Sequence, residues 1–87
     1  MEPKTKRSVS EVRAWMIDFL AQNLKVAPSQ VDADEPIAGY GIDSIVLTNM
    51  VHDLEQWLGV ELSITMFWEH PTINMFAEFI SEAPPQG

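Results

Sequence analysis

Cysteine is absent from this sequence of 87 residues, which excludes disulfide bonds and thiolate metal sites. No apolar run approaches the roughly 18–20 residues that are needed to span a bilayer, so no membrane-spanning helix is predicted. Residues 1–7 are basic, but no apolar segment follows them, so a secretory signal is not expected. Together these absences favour a cytoplasmic protein without membrane contacts.

Basic residues are also scarce, and they are confined to the start of the chain. All five Lys and Arg precede position 26, whereas residues 26–87 contain ten Asp and Glu. The formal net charge is −8 at pH 7. Such a surface repels nucleic-acid phosphates and attracts basic protein surfaces, so we expect protein partners and no nucleic acid.

The length predicts a single small domain. A chain of this size buries only about 60–65% of its unfolded surface, which leaves little room for an enclosed active site. Hydrophobic residues make up 46% of the sequence, enough for one compact core. We assign residues 8–82 to this domain, and residues 1–7 and 83–87 to flexible, proline-containing tails.

Helical periodicity and capping signals predict two long helices in the first two thirds of the chain. Helix one is predicted over residues 9–24, where Ser8 and Glu11 form a capping box. Helix two is predicted over residues 44–58 and ends before Gly59, a residue type that is common after helix ends.

The remaining residues predict a short third helix and a longer fourth one. Ser63 can cap helix three over residues 64–68, which Pro71 terminates, and Thr72 can cap helix four. The fold class is therefore all-α, with three longer helices and one short helix three. The predicted core positions recur every three or four residues: Val12, Met16, Phe19, Leu20, Leu24, Leu47, Val51, Leu54, Leu58, Ile73, Phe76, Ala77 and Ile80. The three tryptophans, Trp15, Trp57 and Trp68, are predicted at the core or its edge.

A long loop without helical periodicity occupies residues 25–43, and loops of this length are often functional. Val26, Val31 and Ile37 are expected to anchor it to the core. Its Asp-Ala-Asp segment at residues 32–34 resembles the start of a calcium loop. A proline stands where the third ligand is needed, and the required later Gly and Glu are absent, so no metal site is predicted.

The segment at residues 39–45 has the pattern of a tight loop that leads directly into helix two. Its two glycines permit backbone conformations with positive φ, and Asp43 is a favoured N-cap residue. Ser44 then occupies the first helical position, where the hydroxyl faces solvent and the helix dipole favours a phosphate. From the residues alone, an ordinary Asp cap followed by a serine without function is the more common interpretation, because Asp-Ser pairs are frequent at helix starts.

The segment Gly41-Ile42-Asp43-Ser44-Ile45 resembles the G-x-D-S-[LI] signature of acyl carrier proteins. Two later blocks, Asp-Leu-Glu-Gln-Trp-Leu-Gly at 53–59 and Phe-Trp-Glu-His-Pro-Thr-Ile at 67–73, resemble blocks of polyketide-synthase carrier domains. The resemblance extends over residues 9–81. It implies a four-helix bundle of the acyl-carrier type, in which the serine carries 4′-phosphopantetheine transferred from coenzyme A.

The resemblance also implies a function without catalysis. Carriers of this family hold acyl or polyketide intermediates as thioesters on the arm and deliver them to biosynthetic enzymes. The implied partners of this monomer are a phosphopantetheinyl transferase, a ketosynthase, an acyltransferase or acyl-activating ligase, and other synthase enzymes. Alternatives are a peptidyl carrier domain, whose motif more often reads G-G-[HD]-S, and a helical interaction module whose serine stays unmodified. Met50 stands where carriers that recruit β-branching enzymes have tryptophan, which argues against that subclass.

Partner recognition is implied at the motif and along the first turns of helix two. Other family members often have carboxylates where Val46 and Asn49 stand, so purely electrostatic docking is not expected. Ile45 and Val46 lie off the core stripe, and both an exposed docking patch and partial burial against the loop are open to them. The full predicted recognition set is Gly41, Ile42, Asp43, Ile45, Val46, Thr48, Asn49, His52 and Glu55.

The sequence does not favour hydrolase chemistry at the serine, although the position of His70 relative to it is not predictable. Ser44 lacks the G-x-S-x-G elbow of serine hydrolases. His52 lies eight residues further along the same predicted helix, about 12 Å away, which is beyond hydrogen-bonding reach for a general base. Two histidines without cysteine are also a poor set of metal ligands.

Overall fold

The computed structural model describes residues 7–81, so most of both predicted tails and the predicted domain end at residue 82 lie outside the described residues. Within that part the chain forms four α-helices, and the predicted all-α bundle is confirmed. The helices are α1 (Val9–Leu24), α2 (Ser44–Leu58), α3 (Ile64–Glu69) and α4 (Ile73–Ile80), with 3-10 turns at Pro28–Gln30 and Ile37–Tyr40. The two 3-10 turns were not predicted, because segments of three or four residues show no periodicity.

Each helix begins after a residue whose side chain accepts a hydrogen bond from a backbone N–H of the first turn. Such caps satisfy donors that have no partner within the helix. At α1 the predicted capping box is complete, because the Glu11 carboxylate also accepts from the Ser8 N–H at 3.0 Å. Gly59 ends α2 with φ +74°, a conformation that costs other residues about 1–2 kcal/mol. The capping residues are Ser8, Asp43, Ser63 and Thr72.

Contacts of the first part of α1 with the two ends of α4 show that these helices run antiparallel. The Ser81 hydroxyl donates to the Arg7 carbonyl at 2.7 Å, and the Arg13 Nε donates to the Asn74 Oδ1 at 2.7 Å. The beginning of α1 therefore lies beside the end of α4. The first and last described residues consequently meet at one corner of the bundle.

Aromatic contacts place the end of α2 at the same corner. The Trp57 ring stacks on Trp15 with ring centroids 5.7 Å apart, and the Arg7 guanidinium lies 4.2 Å from the Trp57 ring centroid. Because α2 begins thirteen residues before Trp57, Ser44 lies about 20 Å away along the helix axis. Ser44 is thus at the opposite end of α2 from the corner where Arg7 and Ser81 meet.

The core lies between the four helices, and most of the predicted core positions are buried. Phe19, Leu24 and Leu58, however, are only half-buried. Met50 of α2, which is not among the predicted core positions, is fully buried. The buried core consists of Val12, Met16, Leu20, Ala21, Val31, Ile37, Leu47, Met50, Val51, Leu54, Leu62, Phe67, Ile73, Phe76, Ala77 and Ile80.

Two predicted contacts with the core are wrong. Val26 is 37% exposed, because Lys25 has a left-handed conformation (φ 62°) that reverses the chain at the end of α1. Trp68 is 49% exposed, because Phe67 occupies the inner position of the short helix and meets the Phe76 ring edge-on at 5.6 Å. Trp15 and Trp57 are half-buried at the edge of the core, as predicted.

The long loop between α1 and α2 is anchored to the segment between α3 and α4. Val31 and Ile37 are buried, which confirms these two predicted anchors. The Ile37 N–H donates to the Pro71 carbonyl at 3.1 Å, and Pro36 forms an isolated antiparallel bridge with Thr72. The part of the loop that leads into α2 therefore has a defined position.

Across residues 7–81, no helix has both the length and the apolar character that crossing a bilayer requires. In the same part of the chain, no three His, Cys, Asp or Glu side chains lie close enough together to hold a metal ion.

Candidate functional site

The chain enters α2 through a turn that only glycine adopts at low cost. Gly41 has φ +73°, and a Cβ placed on it would meet no atom within 4 Å. The requirement for glycine here is therefore conformational rather than steric. Two residues later, Asp43 adopts extended backbone angles, and its carboxylate accepts from the Val46 N–H at 3.0 Å. This confirms the predicted Asp43 cap and places Ser44 at the first position of α2.

Ser44 is exposed at the start of this helix. The first N–H groups of a helix have no carbonyl partner within it, and the helix dipole puts a partial positive charge at this end. Both features stabilise a phosphate group close to the serine. The site can therefore hold a phosphodiester on the Ser44 oxygen while the rest of the attached group extends into solvent.

The apolar residues beside Ser44 differ in exposure. Ile42 is half-buried and packs against the core, so it anchors the turn to the core. Ile45 is 70% exposed, whereas Val46 is half-buried without belonging to the packed core cluster. Of the two alternatives open from the sequence, exposure therefore holds for Ile45 and partial burial for Val46.

The polar residues predicted for recognition also fall into two groups. Thr48, Asn49 and His52 are exposed along α2. Glu55 is part of an internal contact: its carboxylate accepts from the Leu62 N–H at 3.2 Å, and its other oxygen lies 3.9 Å from His52 Nδ1. Glu55 thus ties the segment after α2 back onto that helix. Sequence reasoning missed this role, because the pairing spans the turn at Gly59 and follows no helical spacing.

His52 is too far from Ser44 to serve it as a general base. His52 lies two helical turns further along α2, about 12 Å away along the axis, and its near neighbour is Glu55. A base activates a serine only from within about 3 Å, and His52 does not meet that distance.

Comparison with known families agrees with this geometry. Residues 14–80 match the family described as the phosphopantetheine attachment site. The chain therefore belongs to this family of carrier domains, which carry a 4′-phosphopantetheine prosthetic group. The predicted family, carrier function and cofactor are confirmed at this level.

The similar proteins include a polyketide synthase, a peptidyl carrier protein and an acyl carrier protein. The chain is 33% identical over 84 residues to polyketide synthase PksL of Bacillus subtilis (strain 168), covering 90% of this chain but only 2% of that protein. A free-standing peptidyl carrier protein of Acinetobacter baumannii has a solved structure with a TM-score of 0.77 and 35% identity, covering 83% of this chain and 90% of that one. An acyl carrier protein from Anabaena sp. PCC 7120 has the same TM-score at 33% identity, covering 90% and 89%. Acyl and peptidyl carriers thus share this backbone.

Proposed function

We propose that this chain is an acyl carrier of the polyketide-synthase type, with Ser44 as the residue that bears the 4′-phosphopantetheine arm. The observation that supports it is the exposed Ser44 at the first position of α2, directly after the Asp43 cap and the Gly41 turn. A thiol on this arm would hold acyl or polyketide intermediates as thioesters. The tether raises the effective concentration of substrate at each enzyme that docks the domain.

The proposed docking surface surrounds this serine and extends down α2. It combines one strongly exposed apolar side chain, Ile45, with the exposed polar groups of Thr48, Asn49 and His52. Glu55 contributes mainly by holding the segment at Leu62, which limits its freedom to contact a partner. The proposed partners are a phosphopantetheinyl transferase, a ketosynthase, an acyltransferase or acyl-activating ligase, and other synthase enzymes.

The same proposal covers three further properties of the chain. It acts without catalytic residues of its own, because the nearest candidate base on α2, His52, is out of reach of Ser44. It works as a monomer, because each enzyme must reach the same small surface in turn. It functions in the cytoplasm, where coenzyme A is available for loading.

Charging the arm tests the acyl-carrier assignment. The protein is first loaded from coenzyme A by a promiscuous transferase. It is then offered either malonyl-coenzyme A with a stand-alone acyltransferase or an amino acid and ATP with an adenylation enzyme, and intact mass reports the product. The proposal expects the malonyl thioester to form faster. Preferential aminoacylation would instead assign a peptidyl carrier, the second candidate, which the similarity to the Acinetobacter baumannii protein favours.

A charge at Ile45 is expected to impair docking without unfolding the domain. Because this side chain is 70% exposed, Ile45→Glu should change the free energy of unfolding by no more than about 0.5 kcal/mol. The same substitution replaces an apolar contact with a carboxylate, and we expect KM for the transferase or for a synthase enzyme to rise about tenfold. Melting curves and transfer kinetics measure the two effects separately.

Gln56→Glu is the matched control for that experiment. Gln56 is exposed on the same helix, eleven residues or about 16 Å further along, and its substitution adds the same charge. Transfer should proceed at the parent rate in this control. Equal KM values for Ile45→Glu and the parent, with every partner tested, would remove Ile45 from the docking surface.

A further inference from the structure

The residue directly before the Gly41 turn makes a contact that the proposed function does not use. The Tyr40 hydroxyl accepts a hydrogen bond from the Asp32 N–H at 2.6 Å and donates to the Asp32 carbonyl at 3.2 Å. Its ring is half-buried against the core. The Tyr40 side chain thus joins the two ends of residues 32–40, because its hydroxyl bonds both the N–H and the carbonyl of Asp32.

Asp32 is in turn held by a series of polar contacts. Its carboxylate accepts from the Asp34 N–H at 2.9 Å, and the Asp34 carboxylate accepts from the Asn74 Nδ2 at 2.5 Å. Asn74 also donates its backbone N–H to the Ala33 carbonyl at 3.0 Å. Through these bonds the loop is attached to the first turn of α4.

The same asparagine connects the loop to α1. The Asn74 Oδ1 accepts from the Arg13 Nε at 2.7 Å, so one amide side chain bonds both the loop and α1. A continuous set of hydrogen bonds therefore extends from two helices of the bundle to Tyr40. Position 40 is four residues before Ser44.

The turn between Tyr40 and Ser44 has few contacts of its own. Gly41 has no side chain, and Asp43 and Ser44 are exposed. Only Ile42 packs against the core within the turn. The position of the turn therefore depends on Ile42, on the Asp43 cap where the turn ends, and on the residue where it begins, Tyr40.

We infer that Tyr40 is a positioning residue for the modification of Ser44, an inference that rests on the proposed function. By bonding Asp32, its hydroxyl keeps the turn at residues 41–43 in the one arrangement that a phosphopantetheinyl transferase binds. Without this bond the free protein samples additional arrangements of the turn. The apparent affinity for the enzyme then falls in proportion to the fraction that remains competent.

Tyr40→Phe tests the inference, because it keeps the ring and removes only the hydroxyl. A hydrogen bond of this kind corresponds to a change of roughly two- to tenfold in an equilibrium constant. We therefore expect KM of a promiscuous transferase for the apo protein to rise roughly two- to tenfold, with kcat within about twofold of the parent. A purely structural role predicts no change in either constant while the variant stays folded. In amide hydrogen exchange, the Asp32 N–H should lose protection.

Ser81→Ala is the matched control. It also removes one hydroxyl hydrogen bond to a backbone carbonyl, that of Arg7, but at the corner of the bundle opposite Ser44. Its transferase KM and its Asp32 exchange rate should equal those of the parent. The inference is overturned if Tyr40→Phe keeps the parent KM, or if Ser81→Ala raises KM equally. A parent protein that takes up no phosphopantetheine would refute the proposed function instead, and Asp32 exchange would still decide whether Tyr40 holds the loop.

Discussion

Ser44→Ala should abolish the uptake of phosphopantetheine completely. The parent chain, incubated with coenzyme A and a promiscuous transferase, is expected to gain a single phosphopantetheine in an intact-mass measurement. Alanine removes the only oxygen that Ser44 can offer to the phosphodiester. The side chain is exposed, and Asp43 still accepts the hydrogen bond from the Val46 N–H. The free energy of unfolding of the variant should therefore stay within about 0.5 kcal/mol of the parent value.

Ser10→Ala is the control for this experiment. Ser10 is likewise exposed in the first turn of a helix, α1. Its removal shows whether the loss in Ser44→Ala is specific to Ser44 or follows the loss of any serine in such a position. The control should gain one phosphopantetheine at the parent rate. A mass gain that survives Ser44→Ala would falsify the assignment of the arm to Ser44. A parent that never gains mass would favour the unmodified interaction module.

Leu54→Ala is expected to produce the largest loss of stability. Leu54 is fully buried in the core-facing stripe of α2, and truncation of such a leucine leaves a cavity that costs about 2–5 kcal/mol. Small domains have only about 5–15 kcal/mol of total stability, so the variant will be close to unfolding. At about 4–8 °C per kcal/mol for a domain of this size, the melting temperature should fall by at least about 8 °C.

Leu58→Ala removes the same atoms at a half-buried position one turn later. Because less apolar surface is re-exposed to water there, its cost should be clearly smaller than that of Leu54→Ala. Thermal or denaturant unfolding of the two variants gives the comparison. Equal and small effects would mean that Leu54 does not fill the centre of the core.

The proposed docking surface could be predicted only in part from the spacing of residues along the sequence. Its position along α2 could be predicted, because helical spacing separates Thr48, Asn49 and His52 from the buried stripe. The different environments of Ile45 and Val46 could not be predicted. Both lie off the stripe, and their exposure depends on how the loop before α2 passes beside them.

Helix boundaries were determined locally, and the sequence alone was sufficient for them. A capping residue satisfies backbone donors within three residues of itself, so Ser8, Asp43 and Thr72 could be recognised without any tertiary contact. Gly59 likewise ends α2 through a local property, its own positive φ angle. The local sequence therefore determines where α2 starts, and with it the position of Ser44 in the first turn.

Only the tertiary structure decided which polar groups meet across the chain. Asn74 bonds Arg13, which is 61 residues away, and Asp34, which is 40 residues away. No periodicity relates such positions, because they become neighbours only when the antiparallel packing of α1 against α4 brings them together. The loop before Ser44 is held by these long-range hydrogen bonds, together with the buried Val31 and Ile37. The sequence by itself determined the helix that presents Ser44, whereas the packing of the bundle determined how the approach to that helix is held.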